Sequence, residues 1–89
     1  MTELQWTDSQ VGFVELVISL HDAGSINNGN ISIRKLFSVL GNTFNFHVKD
    51  YYRYFTDITH RKADDDNRTF YLNKLKCALN KNISKSDRR

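Results

Sequence analysis

From Asp8 to Asp22 the polar residues Asp8, Gly12, Glu15, Ser19 and Asp22 recur at four-three-four-three spacing, while Val11, Phe13, Val14, Leu16, Val17, Ile18 and Leu20 fill nearly every other position. A helix wetted along so narrow a stripe belongs at the centre of a core. Thr7 followed three residues later by Gln10 has the form of a capping box and predicts where the helix starts. Ala23 to Asn30, with Gly24, Asn27, Asn28 and Gly29, is turn chemistry that ends it. Ile31 to Ile33 is a short extended piece. Ser32 is the expected N-cap of a second helix running from about Ile33 to Leu40 or Asn42, with Leu36, Phe37 and Leu40 inward and Gly41 as its stop. In a third helix, from about Val48 to Arg61, the residues Val48, Tyr51, Phe55 and Ile58 form a three-four-three seam, and Phe44 and Phe46 staple it to the second. Asp64, Asp65, Asp66 and Asn67 mark an exposed turn. Thr69 to Tyr71 is β-prone and is expected to pair with Ile31 to Ile33. A fourth helix, from about Leu72 to Asn82, turns Leu75, Ala78 and Leu79 inward and Lys74, Lys76 and Lys81 outward, with Ser84 to Arg89 as a frayed basic tail.

Four helices and two short strands in 89 residues make one core, and no Pro, linker or repeat divides the chain. No hydrophobic run is long enough to cross a bilayer, and the N-terminus lacks the basic start of a signal peptide, so a cytoplasmic protein is expected. Cys77 is the only cysteine, which excludes an intrachain disulfide, and a partly buried thiol is expected there. His21, His47 and His60 lack metal-ligand spacing, and the aspartate run lacks the Gly and Glu of a calcium loop. Nothing resembles a nucleophile motif, so neither catalysis nor a cofactor is expected.

The net charge of +3 conceals a division. Residues 1–33 hold four acids (Glu3, Asp8, Glu15, Asp22) and no Lys or Arg, a balance of −4; residues 34–89 hold all thirteen basic residues against six acids, a balance of +7. That favours a polyanion on one side and a different neighbour, or solvent, on the other. Helices two and three have the order and lengths of a helix-turn-helix, whose second helix enters the DNA major groove. Lys49, Arg53, Thr56 and His60 share the face of helix three opposite its seam, with Tyr52 at the edge. Arg and Lys reach guanine edges or phosphates, and Thr and Tyr donate to phosphate oxygens. Asp50 and Asp57 oppose this reading and are placed on the flanks. Arg61, Lys62 and Arg68 bracket the position of a wing, where they would touch phosphates together with Arg34 and Lys35.

Trp6-Thr7, Val14-Glu15-Leu16-Val17, Ile26-Asn27-Asn28-Gly29-Asn30, Phe44-Asn45, Asp50-Tyr51-Tyr52-Arg53 with Phe55, Arg61-Lys62, Asn67-Arg68-Thr69, and Leu72 with Leu75-Lys76 follow one another in an order and spacing that resembles the C-terminal part of RteC proteins. The likeness covers roughly Leu4 to Lys81. It implies a winged-helix-like DNA-binding region of a transcriptional regulator associated with conjugative transposons, acting on genes of element excision or transfer. Two features depart from the pattern: the family's larger N-terminal domain is missing, and the stretch Phe46-His47-Val48-Lys49 and the Asp64 to Asp66 run differ from the expected version.

The combined expectation is a mostly α, winged-helix-like helix-turn-helix bundle with a minimal two-stranded sheet, binding double-stranded promoter DNA, with a homodimer on DNA as one arrangement. The chief alternative is a protein-interaction module that docks through the acidic stripe of helix one or through exposed tyrosines. A membrane-surface role is third, because it explains the charge but not the helix order.

Overall fold

A computed structural model describes residues 3–61 and 68–87. The chain forms α1 (Gln10–Asp22), a 3₁₀ turn (Asn27–Gly29), α2 (Ile33–Thr43), α3 (Tyr51–Thr59) and α4 (Phe70–Asp87). No strand occurs among the described residues, which overturns the expected two-stranded sheet and with it the winged-helix assignment. Both segments expected to pair are committed to helix starts. Ser32 caps α2, its hydroxyl accepting from the Lys35 amide at 3.1 Å, and Phe70 and Tyr71 already lie in α4. The wing position, Arg61 to Thr69, falls mostly on 62–67, outside the described residues.

Side-chain and backbone hydrogen bonds set the helix limits. Ser9, rather than Thr7, caps α1 and accepts from the Gly12 amide at 2.9 Å. At its other end Gly24 takes φ +73, and the Ser25 and Gly24 amides donate to the carbonyls of Leu20 and His21, a Schellman stop. The second helix does not end at Gly41. Its stop is Asn45, at φ 51, after which the Phe46 amide reaches back to the Gly41 carbonyl at 2.9 Å. Asn tolerates this left-handed conformation as few other residues do, so the turn chemistry sits four residues later than the glycine suggests.

α1 is the central element, packed by α2, α3 and α4. Phe13, Val14 and Val17 of α1 are fully buried with Leu36 and Phe37 of α2 and Ile58 of α3. Trp6 bridges the layers: its ring lies 5.1 Å from Phe13, 5.4 Å from Tyr71 and 6.2 Å from Phe44, and its amide donates to the Phe44 carbonyl.

The narrow polar stripe of α1, read from the sequence as its wet face, is instead partly covered by α4. Gly12 and Glu15 are buried. A Cβ on Gly12 would stand 2.9 Å from Tyr71 Cδ1, so the glycine is what lets the tyrosine lie against the helix. Glu15 Oε2 accepts from the Leu72 amide at 2.7 Å, giving one of the orphan donors of α4's first turn a negatively charged acceptor at the positive end of the helix. Lys74 Nζ then meets Asp8 Oδ2 at 2.7 Å; this ion pair holds the Asp8 carboxyl below its ordinary value and the Lys74 ammonium above its own. Both groups are solvent-exposed and the pair is a light tether.

Phe13→Ala is expected to cost about 3–5 kcal/mol in denaturant unfolding, the usual toll of emptying a buried aromatic site. Glu15→Ala is expected to cost about 1–3 kcal/mol by orphaning a buried amide, and hydrogen exchange should accelerate at Leu72 more than in α2.

Candidate nucleic-acid interface

α3 is nine residues long and amphipathic. Ile58 is buried, Tyr51 and Tyr54 are half-buried, and Tyr52, Arg53, Thr56, Asp57 and Thr59 are exposed. With 3.6 residues per turn, Tyr52, Arg53, Thr56 and the capping residue His60 fall on one outward side. The orientation is fixed from within. Tyr51 stacks on Phe37 of α2 with ring centroids 4.2 Å apart and planes 12° apart, Ile58 enters the core, and the Tyr54 hydroxyl bonds to Gln10 of α1. Asp50 caps the helix, its carboxylate accepting from the Arg53 amide at 3.2 Å. One of the two acids that oppose the DNA reading is therefore occupied by the helix start; Asp57 remains exposed on α3.

Lys49 is not on α3, as the sequence suggested, because the helix starts at Tyr51 rather than Val48. It is exposed in the preceding connection, where it lines a groove of about 250 Å³ with Arg34, Phe37, Ser38, His47, Val48 and Tyr51. The groove thus unites Arg34 from the first turn of α2 with Lys49, and brings in His47 and Ser38, which the sequence reading left out of the site. Gly41 makes this possible: a Cβ there would stand 2.9 Å from the Phe46 carbonyl and 3.0 Å from His47 Nδ1. A glycine inside an amphipathic helix was the available signal, and it marks a close approach rather than a stop. Burial and a hydrogen bond with Tyr52 push the Tyr51 phenol up, while the nearby Arg34 guanidinium pulls it down. No ion pair among the described residues engages Arg34, Lys35, Lys49 or Arg53.

The other expected phosphate contacts are placed apart. Arg61 is half-buried and lines a small pocket with Asp8, Glu15, Tyr71 and Lys74. Arg68 is exposed, donates from Nη2 to the Thr59 carbonyl at 3.4 Å, and borders a second pocket with Ile18, Phe55 and Leu72. Both belong to the α1–α4 side rather than to the groove. Lys62 lies outside the described residues. The connection between α2 and α3 spans seven residues, 44–50, longer than the three or four of a helix-turn-helix. The two helices meet through the Phe37–Tyr51 stack and their common packing on α1.

Gly41→Ala is expected to move the Phe46 to Lys49 connection by several tenths of an ångström. The check is NMR: shifts should change for His47, Lys49 and Tyr51, and stay fixed for the α4 amides.

No helix among the described residues is long and apolar enough to cross a membrane, and no group of three or more His, Cys, Asp or Glu side chains there is placed to hold a metal ion. No curated protein and no solved structure matches the chain. Against protein families, residues 1–87 match the one described as RteC protein. With nearly all of its length matched, the chain belongs to the RteC family.

Proposed function

We propose that this chain binds double-stranded DNA as a transcriptional regulator of mobile-element genes, with α3 as the helix that enters the major groove. The observation that carries the reading is the convergence on one side of cations that no ion pair engages among the described residues: Arg53 on the outward face of α3, and Arg34 and Lys49 in the adjoining groove. Arg53 and Thr56 read base edges, with Tyr52 and His60 at the two ends of the face. Arg34 and Lys49 hold a backbone phosphate in the groove, with Lys35 beside them on the first turn of α2. Membership of the RteC family supports the regulatory role and the association with conjugative transposons. The chain catalyses nothing in this reading and uses no cofactor.

The competing reading, a protein-interaction module docking through the acidic stripe of α1, is weakened because Gly12 and Glu15 of that stripe lie under α4. An exposed tyrosine remains in Tyr52, next to Arg53.

Fluorescence anisotropy on promoter duplexes and a scrambled duplex, over a range of salt, separates the two. Affinity should fall steeply with salt as condensed counterions are released. Arg53→Ala is expected to lose about 1–3 kcal/mol and to relax discrimination between duplexes, and Lys49→Ala to weaken binding to all of them alike and lower the salt slope by about one. Equal, weak binding to every duplex, untouched by either substitution, would remove the DNA reading.

A further inference from the structure

The groove beside α3 gathers more donors than Arg34 and Lys49. Arg34, Ser38 and Gly41 follow one another on α2 at four- and three-residue spacing, so they share one stripe of that helix. Gly41 leaves a gap on the stripe, and one edge of the His47 ring fills it: a Cβ at Gly41 would stand 3.0 Å from Nδ1 and 3.4 Å from Cε1. The imidazole thereby joins the arginine and the serine along a single wall, while Lys49 and the stacked rings of Phe37 and Tyr51 complete the groove. With Nδ1 set against the helix, Nε2 is the ring nitrogen left to reach a ligand.

Ser38 differs from the other hydroxyls within α1 and α2. Ser19 and Thr43 donate to the carbonyls of Glu15 and Val39, four residues back. No hydrogen bond among the described residues engages the Ser38 hydroxyl or the His47 ring, and both residues are exposed. No carboxylate lines the groove. Asp50, the residue after Lys49, turns instead to the Arg53 amide at 3.2 Å. A guanidinium, a hydroxyl, an imidazole and an ammonium therefore line one concave space of about 250 Å³ that holds no acid to neutralise them.

We propose that Ser38 and His47 complete a clamp on one DNA backbone phosphate, and that His47 takes up a proton as the phosphate enters. This deepens the DNA reading and rests on it, adding two ligands and a dependence on pH. A phosphodiester presents two unbridged oxygens, each of which accepts more than one hydrogen bond. The Arg34 fork can hold both oxygens, Lys49 adds a point charge, the Ser38 hydroxyl donates, and His47 donates from Nε2. A neutral imidazole has one N–H, whereas the imidazolium has two and brings a charge, which an anion among these groups favours. Binding and proton uptake are then linked, so affinity rises as pH falls. The groups that share the groove with the ring are Arg34 and Ser38 of α2, Lys49 of the connection and the Tyr51 phenol of α3. Of these residue types and histidine itself, histidine is the one whose charge changes between about pH 5 and 8.

Fluorescence anisotropy on one promoter duplex at fixed salt, at about pH 5.5 and about pH 7.5, tests the clamp with wild type, His47→Gln, His47→Lys and Ser38→Ala. Circular dichroism checks that these changes at exposed positions leave the helices intact. His21 and His60 are common to all four proteins, so their own charge changes cancel in the comparison. The ratio of affinities at the two pH values should be about tenfold smaller in His47→Gln than in wild type, the worth of one charged hydrogen bond. His47→Lys, charged throughout, should show an equally small ratio and bind tighter than wild type at the higher pH. Ser38→Ala should weaken binding at both pH values and keep the wild-type ratio. An equal ratio in wild type and His47→Gln, His47→Lys no tighter than wild type at the higher pH, or unchanged binding by Ser38→Ala overturns the clamp and leaves the DNA reading standing. A wild type that binds no duplex at either pH removes the DNA reading and the clamp with it.

Discussion

Every other element of the structure depends on the burial of α1 from three sides. Phe13, Val14 and Val17 are fully buried, and α2, α3 and α4 each pack against this helix. In so short a chain the core is small, and six buried hydrophobic residues form its cluster. Aromatic rings enlarge it from the periphery. Trp6 joins Phe13, Phe44, Phe46 and Tyr71, which ties the N-terminal strap, the connection before α3 and the start of α4 to the same centre. The loop that carries Lys49 and His47 is thereby fastened at its Phe44 and Phe46 end by core packing, and at its Tyr51 end by the stack on Phe37.

That fastening links packing to the candidate interface. The side chains of Tyr52, Arg53 and Thr56 face outward because Tyr51, Tyr54 and Ile58 face inward, and each inward residue has a specific partner: a ring of α2, a glutamine of α1 and the core. Cations on a surface held this rigidly lose less entropy when they meet a phosphate or a base edge than cations on a free tail would. The same logic separates the groove from α4, whose Lys76, Lys81 and Lys85 are exposed beyond the packed first turns.

Periodicity made α1 and most of the inward faces of α2 and α3 legible, because Phe13, Val17, Leu36, Phe37 and Ile58 repeat at helical spacing and are core in fact, whereas Phe55, read into the seam of α3, is 39% exposed. What periodicity could not show was which polar positions are covered by another element. Gly12 and Glu15 read as a wet stripe, yet a residue without a side chain is an opening for a ring, and a carboxylate is an acceptor for a helix start. The two β-prone segments were misread for a related reason. A propensity of a few tenths of a kcal/mol per residue yields to a cap, and Ser32 and Glu15 supply caps at both places. The inward assignment of Leu75, Ala78 and Leu79 and the partly buried thiol at Cys77 also failed, since the body ends before α4 does. Of the candidate site residues, Tyr52, Arg53, Thr56 and His60 share the predicted face. Lys49 moved into a groove with Arg34, and Arg61 and Arg68 turned toward α1 and α4. Such placements depend on where the chain doubles back, which local sequence does not encode.

The charge division along the chain takes on a different meaning once the acids are located. As a pattern, −4 followed by +7 suggested two outer faces of opposite sign. In the folded chain two of the four early acids are engaged by another element: Glu15 caps α4 and Asp8 pairs with Lys74. Asp50, one of the later acids, caps α3. Among the described residues no ion pair engages Arg34, Lys35, Lys49 or Arg53. Asp8, Glu15 and Asp50 are therefore bound to helix starts or to α4, while Arg34, Lys49 and Arg53 face solvent with Asp57 as the exposed acid of α3. A fold that uses carboxylates as brackets leaves at its surface the one sign of charge that its sequence divides most unevenly.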